Sequence, residues 1–415
     1  DSRVSRGLGD VYKRQSMRIL AIGGSGSMAR YAMRATQNFS AVDEIVIADI
    51  NKEAANSFAS TLNNKVSAIQ LDVTDSKALK NSMKGVDTVV NTCGPFFKFG
   101  TPILSTAISS GCNYVDICDD WEPTLDMLNL DSAAKSAGIS ATIGLGASPG
   151  LTNLMALIAI RELDSVSKVF TGWDAGGTSI DETAKKQSVN AAMMHAVEQI
   201  TGKVKIYQNS TYKMVKPLKS IDVNYPGLTT FTGNIIGHPE ALTFPHYFKD
   251  LKDSINLAHG GSVGSFVLKA IAELVNVGLL SKNKAANVFA WLENQGSSER
   301  NLSSNYLPVI YGYANGLKNG DPASVGVCLS NEQRNSASTN NYDAIGMGEI
   351  TGIPLACGIK MLAEGKINKS GVFSPEAGHI DPHDFITDVL DELSKAINKP
   401  LGNFEENIRI NRSWE

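Results

Sequence analysis

Two rhythms of hydrophobic and polar positions divide the chain near residue 149. Before it, short apolar runs alternate with segments of helical period. Arg18–Ile22 is an apolar run that ends in glycines, as a buried first strand does. Ser27–Gln37 follows with Met28, Ala32 and Ala35 on one side of a helix. Glu44–Asp49, Val66–Leu71, Asp87–Asn91, Tyr114–Ile117 and Ser140–Ile143 read as further strands. Lys52–Leu62, Ser76–Lys84, Thr101–Ser110 and Leu125–Ala137 read as the intervening helices. Strands and helices at this spacing predict a doubly wound parallel sheet of Rossmann type.

After Pro149 the alternation breaks. Leu151–Arg161, Ala184–Thr201, Val263–Val277 and Asn283–Glu293 have helical spacing. Lys203–Gln208, Thr211–Lys216, Leu307–Ala314 and Ser324–Cys328 read as antiparallel strands, the last two joined by a loop over Gly316–Pro322. Asp343–Gly365 and Pro382–Ile397 are two final helices. The second opens on Asp381-Pro382, a capping residue with proline at the first helical position. The predicted fold class is therefore α/β, with a second mixed α/β domain inserted before C-terminal helices. The expected division is a Rossmann domain over 17–148, a substrate and dimerisation domain over 149–345, and C-terminal helices over 346–415. Residues 1–16 have no apolar core of a signal sequence and read as a non-native or disordered leader ahead of Met17.

Composition narrows the class. A chain of 415 residues suggests more than one domain at about 150 residues each. A net charge of −4 gives no basic field for nucleic acid or an anionic membrane. The longest apolar stretches are too short or too interrupted to span a bilayer. Five cysteines, Cys93, Cys112, Cys118, Cys328 and Cys357, form no CxxC pair, which argues for a reducing, cytoplasmic setting and against structural zinc. His379 and His383 are separated by Pro382 at a helix start, so no metal site is expected there.

The chemistry begins at Gly24-Ser25-Gly26-Ser27-Met28-Ala29, a G-x-G-x-x-G/A match between a strand and a helix. Its glycines allow a tight turn and a close approach of pyrophosphate to backbone amides. Asp49 ends the second strand, where an acid is expected to hold the ribose 2′-hydroxyl and to repel a 2′-phosphate. NAD is thus favoured over NADP, with Lys52 nearby to accommodate the phosphate. Asp72-Val73 are placed near the adenine, and Thr92-Cys93-Gly94-Pro95 near the nicotinamide, with Phe96 next to them as a substrate contact. Asp116 lies among apolar neighbours that would raise its pKa, so it is the first acid/base candidate; a cap on the following turn is the alternative. Asp119 and Glu240 are its substitutes. Trp173, His195 and His246 are the remaining substrate-contact candidates, and His238-Pro239-Glu240 with Pro245-His246 forms a polar cluster in a predicted loop.

These residues resemble the saccharopine dehydrogenase-like superfamily. The similarity rests on Gly23–Ala29, Ile47–Asp49, Asn91–Pro95, Gly111–Asp116, Gly146–Asn153, Gly237–Pro245 and Gly352–Glu376. It implies a bilobal NAD(P)-dependent oxidoreductase acting at a carbon–nitrogen bond of an amino acid or amine. It also implies final helices that return to the first domain. No arginine occurs between Arg161 and Arg300, and His246 stands where a basic residue is expected in similar proteins. A tricarboxylate needs guanidinium forks, so a less charged amine or amino acid is the expected substrate, with Lys185, Lys186 or Lys213 left to hold one carboxylate. Two other readings stay open: reduction of a C=C or C=O bond on the same fold, and a silent NAD(P)-binding redox sensor. A homodimer is expected from the apolar helices of the second domain.

Overall fold

The computed structural model describes residues 17–174, 191–228, 230–259, 262–295, 308–329 and 345–415. Its first half runs β1 (Met17–Ile22), α1 (Ser27–Thr36), β2 (Val42–Asp49), α2 (Lys52–Ala59), β3 (Val66–Gln70), α3 (Ser76–Ser82), β4 (Thr88–Asn91), α4 (Phe96–Ser110), β5 (Asn113–Asp116), α5 (Trp121–Leu128), α6 (Asp131–Ala137) and β6 (Ser140–Thr142). The second region runs α7 (Leu151–Arg161), β7 (Ser165–Asp174), α8 (Ala191–Gln199), β8 (Val204–Gln208), β9 (Thr211–Val215), β10 (Ser220–Val223), β11 (Phe231–Ile235), α9 (Glu240–Tyr247), β12 (Asp253–His259), α10 (Ser262–Asn276), α11 (Lys282–Gln295), β13 (Ile310–Lys318) and β14 (Asp321–Leu329). The chain ends in α12 (Met347–Ala363), β15 (Gly371–Phe373), α13 (Pro382–Ile397), α14 (Phe404–Asn407) and β16 (Ile408–Arg412).

The first sheet has seven strands in the order β15-β6-β5-β4-β1-β2-β3, and every pair is parallel. Its central strands read as continuous apolar runs because helices cover both faces. The helix starts follow local chemistry. The Asn51 side chain accepts the Ala54 amide at α2, Asp75 accepts Lys77 and Ala78 at α3, and Asp381 accepts Asp384 at α13. Phe385, Ile386, Val389, Leu390 and Leu393 are buried along one face of α13. Each contributes about 1.5–3 kcal/mol by leaving water.

The second sheet has nine strands. Its main path is β10-β11-β12-β7-β13-β14-β16, with β8 pairing β12 and β9. Among the described residues, only the β12–β7 pair of this sheet is parallel. Here the sequence expectation needs correction. Residues 316–322 are not a loop: β13 and β14 run through them to a tight turn at Asn319 and Gly320, both at positive φ. Of the expected loop around His238 and His246, His238 and Pro239 do precede the helix, but Glu240–Tyr247 is helix α9, which holds Pro245 inside it. Leu125–Ala137 is two helices, and β7, β10, β11, β12 and β16 had no sequence signal strong enough to name.

The C-terminal segment joins both halves. β15 extends the first sheet beside β6, and α12 lies against α1. A Cβ on Gly352 would sit 2.5 Å from the Met28 carbonyl oxygen, and one on Gly348 would stand 2.2 Å from the Tyr31 ring. Only glycine permits so close a helix contact at those two positions. β16, in turn, pairs with β14 of the second sheet. One hydrophobic core runs from Ile19 and Ile45 through α7, α12 and α13 to Val325 and Val327.

Candidate dinucleotide site and the polar cluster between the sheets

The glycine loop sits at the carboxyl ends of β1 and β4. Gly23 has φ +72°, and a Cβ there would lie 2.9 Å from the Cys93 nitrogen, so the two loops touch through backbone. Thr92 fastens them: its hydroxyl reaches the carbonyl oxygens of Ile22 and Gly23, each at 3.0 Å. A Cβ on Gly24 would meet the Ala21 carbonyl oxygen at 2.7 Å, whereas one on Gly26 would find only the Gly23 carbonyl oxygen within 4 Å. The space over Gly26 is therefore open to a ligand. No side chain caps α1, so its first amides are left for an outside acceptor. A dinucleotide pyrophosphate fits this cradle.

Asp49 completes it. The Ser25 hydroxyl donates to one carboxylate oxygen of Asp49, and the Asn51 amide donates to the other at 3.1 Å. Arg30 donates to the Ser25 carbonyl oxygen at 2.7 Å, and its guanidinium lies 4.8 Å over the Phe58 ring. Asp49 and Asp72 both act electrostatically on Cys93. Burial, then those two acids, pushes the Cys93 thiol up to about 11, so it is a protonated wall residue. Asp72 is exposed, and the Thr74 hydroxyl and amide hold its carboxyl below the usual value. Val73 is partly buried against the apolar cluster under this edge. Ile50, beside Asp49, is 66% exposed.

A buried hydrogen-bond chain ties the next three loops. The Cys93 amide donates to Asn91 Oδ1, Asn91 Nδ2 donates to the Tyr114 oxygen at 2.9 Å, and Tyr114 donates to Asp116 Oδ2 at 2.8 Å. The amides of Gly144 and Cys118 donate to Asp116 Oδ1 at 2.7 and 3.1 Å. Burial pushes the Asp116 carboxyl up to about 6, against the pull of those donors. Asp116 is fully buried, and its two oxygens accept from the Tyr114 hydroxyl and from the amides of Gly144 and Cys118. Asp119, three residues on, is part-exposed and reaches Gln199 of α8 at 3.5 Å.

The loop after β6 carries Ser148 into a second polar cluster. Glu240 opens α9 and is 1% exposed. Its Oε1 accepts the hydroxyls of Ser148 and Thr152 at 2.5 and 3.1 Å and the Asn256 amide at 3.1 Å. Its Oε2 lies 2.9 Å from His238 Nδ1. Burial raises Glu240, but the His238 charge and hydrogen bond, with that of Ser148, overcome it and hold the carboxyl below its ordinary value. Glu240 is thus a charged anchor with its oxygens taken. Asn256 also donates to Thr171 at 2.8 Å. A neighbouring carboxyl, Glu376, accepts the Asn153 amide at 2.7 Å. Burial raises its pKa, and Thr243 and Ser374 stand beside it.

The remaining candidates scatter. Phe96 is 7% exposed because it is the first, inward-facing residue of α4; its neighbour Phe97 is the exposed ring. Trp173 is partly buried on β7, 6.4 Å from the His238 ring. His246 is exposed at the far end of α9, its ring on Tyr247 and its charged neighbours Lys249 and Asp131, none of them in the Glu240 cluster. His195 falls on α8 with its side chain outside the described residues, as are Lys185 and Lys186. Lys213 lies part-exposed on β9 of the β8–β9 hairpin. Sequence reasoning singled out His238 and Glu240 by proximity, but it had no signal for Asn256, Thr171 or Tyr114. Among the described residues no three His, Cys, Asp or Glu side chains stand together as a metal set, and no helix is long and apolar enough to cross a membrane.

Comparisons with known proteins match both halves of the chain. Residues 19–142 match the saccharopine dehydrogenase NADP binding domain. Residues 146–398 match the saccharopine dehydrogenase C-terminal domain. The chain is 20% identical over 385 residues to carboxyaminopropylagmatine dehydrogenase of Synechocystis sp., covering 89% of this chain and 93% of that one. Its fold is similar to that of apo saccharopine dehydrogenase (L-Glu forming) from Saccharomyces cerevisiae, with a TM-score of 0.61 and 14% identity, over 95% of this chain and 99% of the other.

Proposed function

The chain belongs to the saccharopine dehydrogenase family, and from that premise we propose how it works as an NAD(P)-dependent oxidoreductase acting at the carbon–nitrogen bond of an amino acid or amine. The observation that carries the proposal is one shared edge. The open glycine loop, the Thr92–Pro95 loop and part-exposed Asp119 all lie at the carboxyl ends of the first sheet, where such sheets bind ligands. The dinucleotide, when bound, accepts or returns the hydride. Ser25, Gly26 and the start of α1 hold its pyrophosphate. Asp49 receives the ribose hydroxyls and favours NAD, although the matched family domain is named for NADP.

Loss of hydride from the carbon that bears nitrogen leaves an imine and one proton to be moved. Asp119 takes that proton, and Asp116 and Tyr114 fix the loop it stands on. Glu240 acts through Ser148 and not on substrate directly. Residues 17–148 hold the cofactor, 149–345 supply the substrate side, and 346–407 brace the two, while β16 completes the second sheet. The substrate lacks several carboxylates, since no arginine lies in residues 162–299. The five unpaired cysteines support the reducing, cytoplasmic setting included in this proposal. The homodimer of this proposal would pair through α10, where Phe266 and, just past the helix end, Val277 are exposed.

The test is Asp119→Asn. Turnover should fall about a hundredfold while dinucleotide affinity stays within about twofold. Unchanged turnover removes Asp119 from the chemistry.

A further inference from the structure

The Glu240 cluster is more polar than a packing contact between two sheets requires. His238, Thr152, Thr171, Asn256 and Glu240 are each 3% exposed or less. Ser148 is the one member that is not buried. A ligand therefore reaches this buried carboxylate only through the Ser148 hydroxyl. The direction of that hydroxyl is set. Glu240 is ionised and accepts, so Ser148 must donate its single proton inward. The Asn256 amide is 3.4 Å away, a weak second contact. The oxygen of Ser148 has no proton left for anything outside the cluster. It can only accept.

Its position matters as much as its polarity. Ser148 stands on the loop from β6, whose Gly144 amide is bound to Asp116. A Cβ on Gly144 would meet Pro149 at 2.7 Å and the Cys118 carbonyl oxygen at 3.1 Å. The Ser148 loop and the Asp116–Asp120 loop are thus packed on each other at the same edge of the sheet.

We propose that Ser148 is the hydrogen-bond acceptor for the N–H of the substrate amine, polarised and aimed by Glu240 as a positioning residue. The inference rests on the carbon–nitrogen reading above, because only a donor group suits an oxygen held in this way. A protonated or neutral amine and an iminium N–H all qualify. An isolated carbonyl or carboxylate does not. No tricarboxylate fork is needed, which agrees with the arginine-free segment.

The test uses the full chain with NAD⁺ or NADP⁺ and putrescine, agmatine, lysine, ornithine and glutamate as probes. Wild type, Ser148→Ala, Ser148→Thr and Glu240→Gln are compared on the best amine. Losing one hydrogen bond to a charged group should raise the amine KM about ten- to a hundredfold in Ser148→Ala, with kcat changed far less. Threonine should restore KM to within a few-fold, and Glu240→Gln should follow alanine. Dinucleotide affinity, read by quenching of protein fluorescence, should stay within about twofold in all four. An unchanged KM in Ser148→Ala, with wild type active, overturns the inference alone. If alanine does not fold, cysteine replaces it, and equal KM for Ser148→Cys and Ser148→Thr overturns the inference. No turnover of any amine by wild type overturns the carbon–nitrogen reading first, and the inference with it.

Discussion

The dinucleotide end and the substrate end are built in opposite ways. The first is made of backbone: glycine amides, an uncapped helix start and loops that touch through main-chain atoms. Its parts are close in sequence, with Ser25 and Asp49 only 24 residues apart. The second is made of side chains brought from far along the chain. Ser148 and Glu240 are 92 residues apart, and Asn153 and Glu376 are 223 apart. A backbone site tolerates change wherever a glycine is kept. A buried side-chain site fails when any member is removed, because each remaining donor loses its acceptor.

The largest break in that contrast is Glu240→Ala. Ser148, Thr152, Asn256 and His238 would keep their donors in a buried site without the shared acceptor. Stability should fall by about 3–5 kcal/mol, measured as a lower urea midpoint at unchanged slope. A loss within about 0.5 kcal/mol, the range of an ordinary surface change, would show that the cluster is not an anchor.

Asp116→Asn sharpens the comparison through pH. Asp116 has its carboxyl raised from 3.8 to about 6 in the fold. A raised acid favours the folded state fully below the unfolded value and loses that contribution as pH rises through the folded one. Over that window the wild-type chain should lose roughly 3 kcal/mol relative to the asparagine variant. Chemical denaturation between pH 4 and pH 7 checks this. Parallel pH curves for the two proteins would mean that Asp116 is not buried as described.

The smallest expected effect lies at the backbone end. Asp49→Ala removes one side chain from a site held mainly by amides, so NAD affinity should weaken about tenfold, near 1.4 kcal/mol, and NADP affinity much less. Titration of each cofactor tests it, and equal losses would deny Asp49 its ribose role.

The same contrast explains what could be read in advance. The parallel sheet was legible because Leu20, Ile22, Ile45 and Ile47 sit in runs with a period the backbone imposes. The glycine loop was legible for the same local reason. Around Ser148 the readable parts were single fragments. His238 and Glu240 attracted notice as neighbours, but their partner Asn256 comes from β12, a strand that pairs parallel to distant β7. Asp116 was legible from its apolar neighbours, but the hydrogen bonds that Tyr114, Gly144 and Cys118 give it were not. Phe96 and Phe97 show the limit at one-residue scale, since helix phase at the start of α4 decides which ring turns inward. β16 escaped notice because Arg409 and Arg412 interrupt its apolar pattern, and only pairing with β14 makes it a strand.

Carbon–nitrogen chemistry is tested by reduction of the cofactor when purified protein is given matched amines, amino acids, alcohols and enoyl compounds. Reduced dinucleotide should form with at least one amine or amino acid, and in reverse that amine should form from its carbonyl partner and ammonia or an amine. Turnover confined to alcohols or enoyl compounds would contradict it.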